Sequence, residues 1–455
     1  MKIGQSITLD IQEISAKGEG VATAEGHSLL LRETLPGDRV QAVVTRVRQG
    51  IAEGRVVQIE SPGPGRVAPR CRHFGPCGGC SLQHMDYPQQ VVWKSHMVQE
   101  VFRKEGLAKR IPPLEAVPME EPWRYRSKLE FTFGQEGEQI ILGFHRRSSF
   151  QRIVDIQHCE VAPAPVSDLV AAIREIAARF PSKSYNPNTH QGFWRYAVVR
   201  VTRRAGELML LLVTNEGPRE PLEAMAAELP KRVPALKSVH WGISTKVSDV
   251  AQVERSSLLW GEAELEDQAG PVRFKVGPKN FVQPNLVLAE RVYETIRQKA
   301  ELTGREAVYD LYCGIGLIAL SMASGAKAVY GVESEPDNIA SAERNAALNG
   351  IRNAVFLAGK VEDILKGRSL FRAGPAPDVI VLDPPRAGLH GEIFGPLLSA
   401  QAPCLFYLSC NPASLARDLK VILERDPRYR AESAQFFDFF PHTAHAEVLV
   451  QLKRP

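Results

Sequence analysis

From about residue 275 onward, short apolar runs alternate with stretches whose apolar residues recur at helical spacing. No other feature restricts the fold of this chain as strongly. Residues 308–311, 328–332, 355–358, 378–382 and 405–408 read as strands, with helices at 317–323 and 336–348 between them. Strands joined through a helix pair in parallel, so the pattern predicts an α/β fold. Its core is a doubly wound parallel sheet over 272–455, with 435–440 and 448–452 closing an edge.

A single core rarely grows beyond about 250–300 residues, so a chain of 455 residues requires further domains. Over 1–62, five short alternating runs are broken by Gly18-Glu19-Gly20 and Pro36-Gly37-Asp38, the pattern of an OB-like β-barrel. Such barrels serve as nucleic-acid platforms or as accessory domains without a ligand, and this segment fits both equally. Ser61-Pro62-Gly63-Pro64-Gly65 reads as a linker. Residues 68–265 then form a central α+β domain, with a hairpin at 129–133 and 140–144, a helix at 161–178 and a strand pair at 197–202 and 208–213. Within it, Val91, Val92, Met97, Val101 and Phe102 place a helix over 87–106, which could pack on the C-terminal domain.

Hydrophobic residues at 44% and charged residues at 24% fit a folded globular chain and exclude a disordered one. The net charge of +4 permits a polyanionic partner without demanding one. No apolar run approaches the ~18 residues of a membrane span, and MKIGQSITLD lacks a signal-type apolar core. A cytoplasmic protein without a membrane partner is expected, and a monomer. Seven cysteines in a reducing compartment argue for catalysis or metal binding rather than disulfides.

Asp310-Leu311-Tyr312-Cys313-Gly314-Ile315-Gly316 leaves a strand and opens a helix, and Ala319 completes a G-x-G-x-x-A spacing. Small residues there let the backbone approach a nucleotide, and Glu333 at the next strand end can accept ribose hydroxyls. This pattern alone fits a dinucleotide or S-adenosylmethionine. Asp383-Pro384-Pro385-Arg386, ending the 379–382 strand, favours S-adenosylmethionine. Its prolines stiffen the loop and hold a carboxylate and a guanidinium at the pocket mouth, a device that nicotinamide enzymes do not need.

Cys410 follows the strand at 405–408 and precedes a helix beginning near Ala413, whose N-terminus is expected to favour the thiolate. Glu447 precedes the apolar run 448–452, putting an acid at the sheet edge. A thiol nucleophile and a carboxylate base together suit a pyrimidine: sulfur adds to carbon 6, carbon 5 becomes carbanion-like and accepts a methyl group, and the base removes its hydrogen. Cys404 on the same strand reads as core.

Cys71-x5-Cys77-x2-Cys80, interleaved with Gly75, Pro76, Gly78 and Gly79, turns three thiols inward, and Cys159 can supply a fourth. Four thiolates suit zinc or an iron–sulfur cluster, and the spacing leaves the two nearly even. Arg124, Arg126 and Lys128 beside Trp123 and Tyr125, followed by Arg146, Arg147 and Arg152, form one basic–aromatic group. Phe193, Trp194, Arg195 and Tyr196 form another. Both could grip RNA by pairing phosphates and stacking bases.

Residues 310–316, 383–389 (DPPRAGL), 409–419 (SCNPASLARDL) and 440–447 resemble the RNA uracil-C5 methyltransferase family, and the N-terminal segment is similar to a TRAM domain. The resemblance covers nearly the whole chain. It implies that Cys410 is the nucleophile and Glu447 the base, with Gln283, Tyr312, Gly314, Gly316, Glu333 and Asp383 around S-adenosylmethionine. It also implies a [4Fe–4S] cluster on Cys71, Cys77, Cys80 and Cys159, and 23S ribosomal RNA as partner. Many members carry asparagine where this chain has Leu317, so the contribution of Leu317 to the cofactor site is open, as is that of Lys360. The same chemistry on transfer RNA is the nearest variant. A non-catalytic RNA-binding assembly factor is the alternative from another class. A radical methylthio-transfer enzyme would need a C-x3-C-x2-C motif, which these cysteines do not provide.

Overall fold

The computed structural model describes residues 1–147, 149–247, 251, 253–366 and 374–455. Its N-terminal part has six strands rather than five, because Glu13–Ile14 pairs with Gly20–Ala24. Alternation along Arg39–Arg48 buries Val40, Ala42 and Val44 against Leu9, Leu29 and Leu31. The turn at Pro36-Gly37-Asp38 also anchors the linker. Fully buried Asp38 accepts from the backbone N–H groups of Leu35 (2.6 Å) and Gly63 (2.7 Å) and from Arg66 Nε (2.9 Å). Burial alone would raise the Asp38 pKa, but Arg66 and the two N–H groups hold it below the usual value.

The central sheet has seven strands, ordered Ser149–Asp155, Gln139–Arg146, Lys128–Glu136, Trp194–Val201, Leu208–Thr214, Leu236–Ile243 and Arg255–Gly261. Trp194–Val201 is buried at every position, because helices Pro165–Ala177 and Glu220–Arg232 complete a core on one face while Tyr196, Val198, Leu211 and Val213 cluster on the other. The first of these helices starts at Pro165, later than the predicted 161, since proline fits the first helical turn.

The C-terminal sheet has eight strands: Ala354–Ala358, Ala328–Glu333, Ala307–Leu311, Val379–Leu382, Cys404–Ser409, Glu447–Lys453, Arg430–Phe437 and Glu115–Val117. The first five pair in parallel, and Glu447–Lys453 runs antiparallel to both of its neighbours. The expected edge is therefore displaced. Glu447–Lys453 is an interior strand, and the edge is formed by Glu115–Val117 from the first third of the chain. Helix Tyr87–Lys104 joins this layer too, burying Val91, Val98 and Phe102 in the cluster that holds Leu405, Leu415 and Leu419. Among the described residues no helix is long and apolar enough to cross a membrane.

Asp38→Asn leaves Arg66 facing a neutral partner and should cost about 2–3 kcal/mol, read as an earlier urea transition of the N-terminal domain. Because the folded pKa is depressed, the contribution is present above about pH 4 and fades as pH falls through the folded value. An unchanged midpoint at neutral pH would contradict this role.

Candidate active site

Parallel strands deliver the residues that follow them to one rim of a sheet. Leu311 pairs with Val332 and Leu382, and Leu382 pairs with Tyr407. Tyr312, Glu333, Asp383 and Cys410 consequently leave the sheet at the same rim. The antiparallel strand Glu447–Lys453 begins there. Ser409 faces Val448 across that ladder, so the next step of the register sets Cys410 opposite Glu447.

A cavity of about 1280 Å³ opens at this rim, lined by Gln283, Tyr312, Gly314, Glu333, Lys360, Asp383, Arg386, Cys410 and Glu447. Pockets for one small ligand usually span about 300–1,000 Å³, so a cofactor and a nucleotide fit together. The cysteines Cys71, Cys77, Cys80 and Cys159 border the same cavity.

The glycine loop is held by its neighbours. Tyr312 takes a left-handed φ of 73° while its N–H donates to the Val332 carbonyl at 2.9 Å. Gly314 N–H donates to Glu333 Oε2 at 3.1 Å, and Glu333 Oε1 accepts from Ser334 Oγ and the Glu335 N–H. Gly316 differs from the cofactor contact expected of it. It does not line the cavity, and a Cβ there would come within 3.0 Å of the Phe356 ring and 3.1 Å of Ala342. Its smallness serves helix-on-sheet packing. Leu317 likewise points into the core. Asp310 accepts from the Ala319 N–H at 2.9 Å, and burial pushes its pKa up to about 7.

The SCNPASLARDL stretch is legible as a clamp on the DPPRAGL loop. Asn411 caps helix Pro412–Arg425 through the Ala413 N–H, and its amide donates to the Arg386 carbonyl at 3.0 Å. Ser414 Oγ reaches the same carbonyl, and Arg417 donates to that of Ala387. Buried Asp418 accepts from the Leu389 N–H and from Tyr407 Oη. Gly388 takes a left-handed φ of 83°, which favours glycine, and a Cβ there would lie 2.5 Å from the side-chain ends of Arg417 and Asp418. Cys410 and Asp383 are thereby fixed relative to each other.

A helix begins just after Cys410. Burial raises the thiol pKa to about 11, Glu447 and Asp383 add to the rise, and Arg386 and a backbone hydrogen bond oppose it. Burial also raises Glu447 well above a normal carboxyl, helped by the Asp383 charge. Asp383 is raised by the same burial, which the amide of Gln283, 3.5 Å away, partly offsets. Two such carboxyls resist ionising together.

All seven cysteines are free thiols. Burial raises Cys77, Cys80 (to about 12) and Cys159 (to about 11), and the sulfurs of the group raise one another. The Gly79 N–H points at Cys77 Sγ (3.4 Å), and Gly78 leaves no room for a side chain, since a Cβ would sit 2.8 Å from the His145 carbonyl. Among the described residues, no group of three or more His, Cys, Asp or Glu is placed to hold a single metal ion.

The second basic–aromatic group is corrected outright. Phe193, Trp194, Arg195 and Tyr196 are buried, with Arg195 donating to the carbonyls of Ser244 and Lys246. Tyr125 is buried as well, while Arg124, Arg146 and Arg152 are exposed. Sequence reasoning missed a buried network behind Glu447, in which Lys94 Nζ donates to Asp438 Oδ1 at 2.6 Å and to the Phe440 carbonyl at 2.9 Å. A lysine on the apolar face of its helix, between Val91 and Val98, was the available signal.

Residues 119–455 match the sequence model of the tRNA (uracil-5-)-methyltransferase family, and residues 1–57 match the TRAM domain. This chain belongs to that family. It is an RNA uracil-C5 methyltransferase that depends on S-adenosylmethionine. An uncharacterized RNA methyltransferase of Halalkalibacterium halodurans is 34% identical over 447 residues, covering 98% of this chain and 96% of that one. One from Listeria monocytogenes is 35% identical over 453 residues, covering 99% and 98%. The solved tRNA (uracil-54, C5)-methyltransferase of Pyrococcus abyssi, in complex with S-adenosyl-L-homocysteine, superposes with a TM-score of 0.76 at 25% identity, covering 98% of this chain and all of that one.

With its thiol pKa near 11, Cys410 in the free enzyme should react with iodoacetamide about tenfold faster for each pH unit between 7 and 9. Mass spectrometry of the Cys410 peptide measures this. A rate that levels off below pH 8 would show a thiolate already formed.

Proposed function

We propose that the chain methylates carbon 5 of uridine in large-subunit (23S) ribosomal RNA, with Cys410 as nucleophile and Glu447 as base. The observation that supports this chemistry is that Cys410 and Glu447, each one residue beyond the Ser409–Val448 pair, line one cavity at the rim where the glycine loop ends.

S-adenosylmethionine supplies an electrophilic methyl group. Gly314, Tyr312, Glu333, Gln283 and Asp383 line the space it would fill, with Glu333 placed for ribose hydroxyls. The Cys410 thiol gives up its proton to solvent, its sulfur adds to carbon 6, and the ring π electrons move toward the carbon 4 oxygen to give an enolate. Carbon 5 then takes the methyl group. Glu447 removes the hydrogen from carbon 5, the double bond re-forms and the thiolate leaves. A carboxyl whose basicity is raised by burial suits that last step better than an ordinary glutamate. Uracil must leave its stack to reach a buried thiol, which favours loops or opened RNA.

Cys71, Cys77, Cys80 and Cys159 are assigned a [4Fe–4S] cluster. Four free thiols bordering one recess, with a backbone N–H aimed at Cys77, supply the right donors. Zinc is the alternative that the same four thiolates would suit. Ribosomal RNA is preferred to transfer RNA through the resemblance of the cysteine group to that of related ribosomal-RNA enzymes. Transfer RNA is the second reading, favoured by the name of the matching family and by the substrate of the Pyrococcus abyssi enzyme.

Cys410→Ala should abolish methyl transfer while S-adenosylmethionine binding survives, and unchanged turnover would refute the nucleophile. Glu447→Gln should stall at release, seen as a protein–RNA adduct on denaturing gels. Comparing 5-methyluridine in ribosomal and transfer RNA from cells lacking the protein decides the substrate. Loss confined to transfer RNA would refute the ribosomal assignment. Anaerobically purified protein should carry about four iron atoms and lose them in Cys77→Ser. Stoichiometric zinc instead would overturn the cluster.

A further inference from the structure

The segment leading into Glu447 is held at almost every residue by groups from distant parts of the chain. Lys94, fully buried, grips Asp438 and the Phe440 carbonyl. Asn285 donates to the Phe439 carbonyl (3.0 Å), and Tyr125 Oη donates to that of Pro441 (3.2 Å). One helical turn before Lys94, Gln90 accepts from the His442 N–H (2.9 Å) and sets its Nε2 3.2 Å from His442 Nδ1.

His442 is where these ties converge. It is buried at a left-handed φ of 65°, a conformation uncommon for a residue with a side chain. Trp123 stacks on its ring at 3.8 Å. Its carbonyl accepts two N–H groups, from Ser81 (2.8 Å) and Leu82 (2.9 Å), the residues directly after Cys80. Gln90 Nε2 also lies against the Leu82 carbonyl (3.1 Å), closing the loop between the cysteine segment, the helix and His442. From His442 the chain runs five residues to Glu447, with Thr443 Oγ1 accepting from the His445 N–H on the way.

We infer that Gln90 and His442 are positioning residues that set Glu447 for proton removal, and that the loop ending at Cys80 is part of the same brace through its two N–H bonds to the His442 carbonyl. The cysteine loop therefore acts on the release step rather than on thiol addition. This rests on the assignment of Glu447 as base. Cys410 stands on a different strand and loop, clamped by Asn411 and Ser414 to the Arg386 carbonyl, so disturbing His442 leaves the nucleophile in place. A small displacement of a catalytic group costs up to about a hundredfold in rate. The expected effect is thus selective: addition and methylation proceed, and elimination slows.

The test uses the full-length protein with S-adenosylmethionine and total RNA from cells lacking the enzyme. Turnover and the fraction of protein trapped as adduct are measured together. Gln90→Met, which keeps the volume and removes the hydrogen bonds, should lower turnover about tenfold while raising the adduct fraction severalfold, with S-adenosylmethionine affinity unchanged. Trp123→Leu removes the stacking face without entering the buried helix and should give the same signature. Cys77→Ser should shift the adduct fraction in the same direction. A parallel fall of turnover and adduct in Gln90→Met and Trp123→Leu would mark a merely structural role and overturn the inference. Normal adduct fraction in Cys77→Ser would remove the cysteine loop from the brace. If Cys410→Ala keeps full activity, the reading beneath the inference has failed instead.

Discussion

One antiparallel strand pairing organises the catalytic end of this molecule. Five parallel strands can build a cofactor rim, but all of their loops leave in the same sense. The strand Glu447–Lys453 enters against that direction, and its ladder with Cys404–Ser409 brings an acid from near the end of the chain to a thiol in a strand-to-helix turn. The side-chain period of a strand is two, so a slip of one residue would turn Glu447 away from the cavity. Buried residues on both faces of that strand, from Val448 to Leu452, make such a slip costly.

The same burial that fixes the geometry sets the chemistry. A thiol and two carboxyls in one low-dielectric recess cannot all be charged, and their pKa values rise together. The Arg386 charge opposes that rise at the thiol.

Much of this was legible in the chain. The strand–helix alternation, the glycine loop and the DPPRAGL and SCNPASLARDL stretches each report a local need, and residues such as Asn411 and Gly388 meet theirs within a few neighbours. What stayed hidden depends on distant partners. The strand Glu115–Val117 looks like part of the central domain, because nothing local reveals that it pairs with Gln435 to Phe437 far along the chain. Phe193 to Tyr196 resemble an RNA grip only until the second layer of the sheet covers them. The helix N-terminus after Cys410 is visible in the sequence, whereas the desolvation that pushes its thiol up is not.

Trapping with 5-fluorouridine RNA tests the shared site of thiol and acid most directly. After sulfur adds to carbon 6 and carbon 5 is methylated, no hydrogen remains for Glu447 to remove, and fluorine cannot depart as a cation. Intact mass should then show a covalent complex carrying one added methyl group, with the RNA attached at Cys410 after digestion. Attachment at another cysteine, or methylated product free of any adduct, would contradict the account.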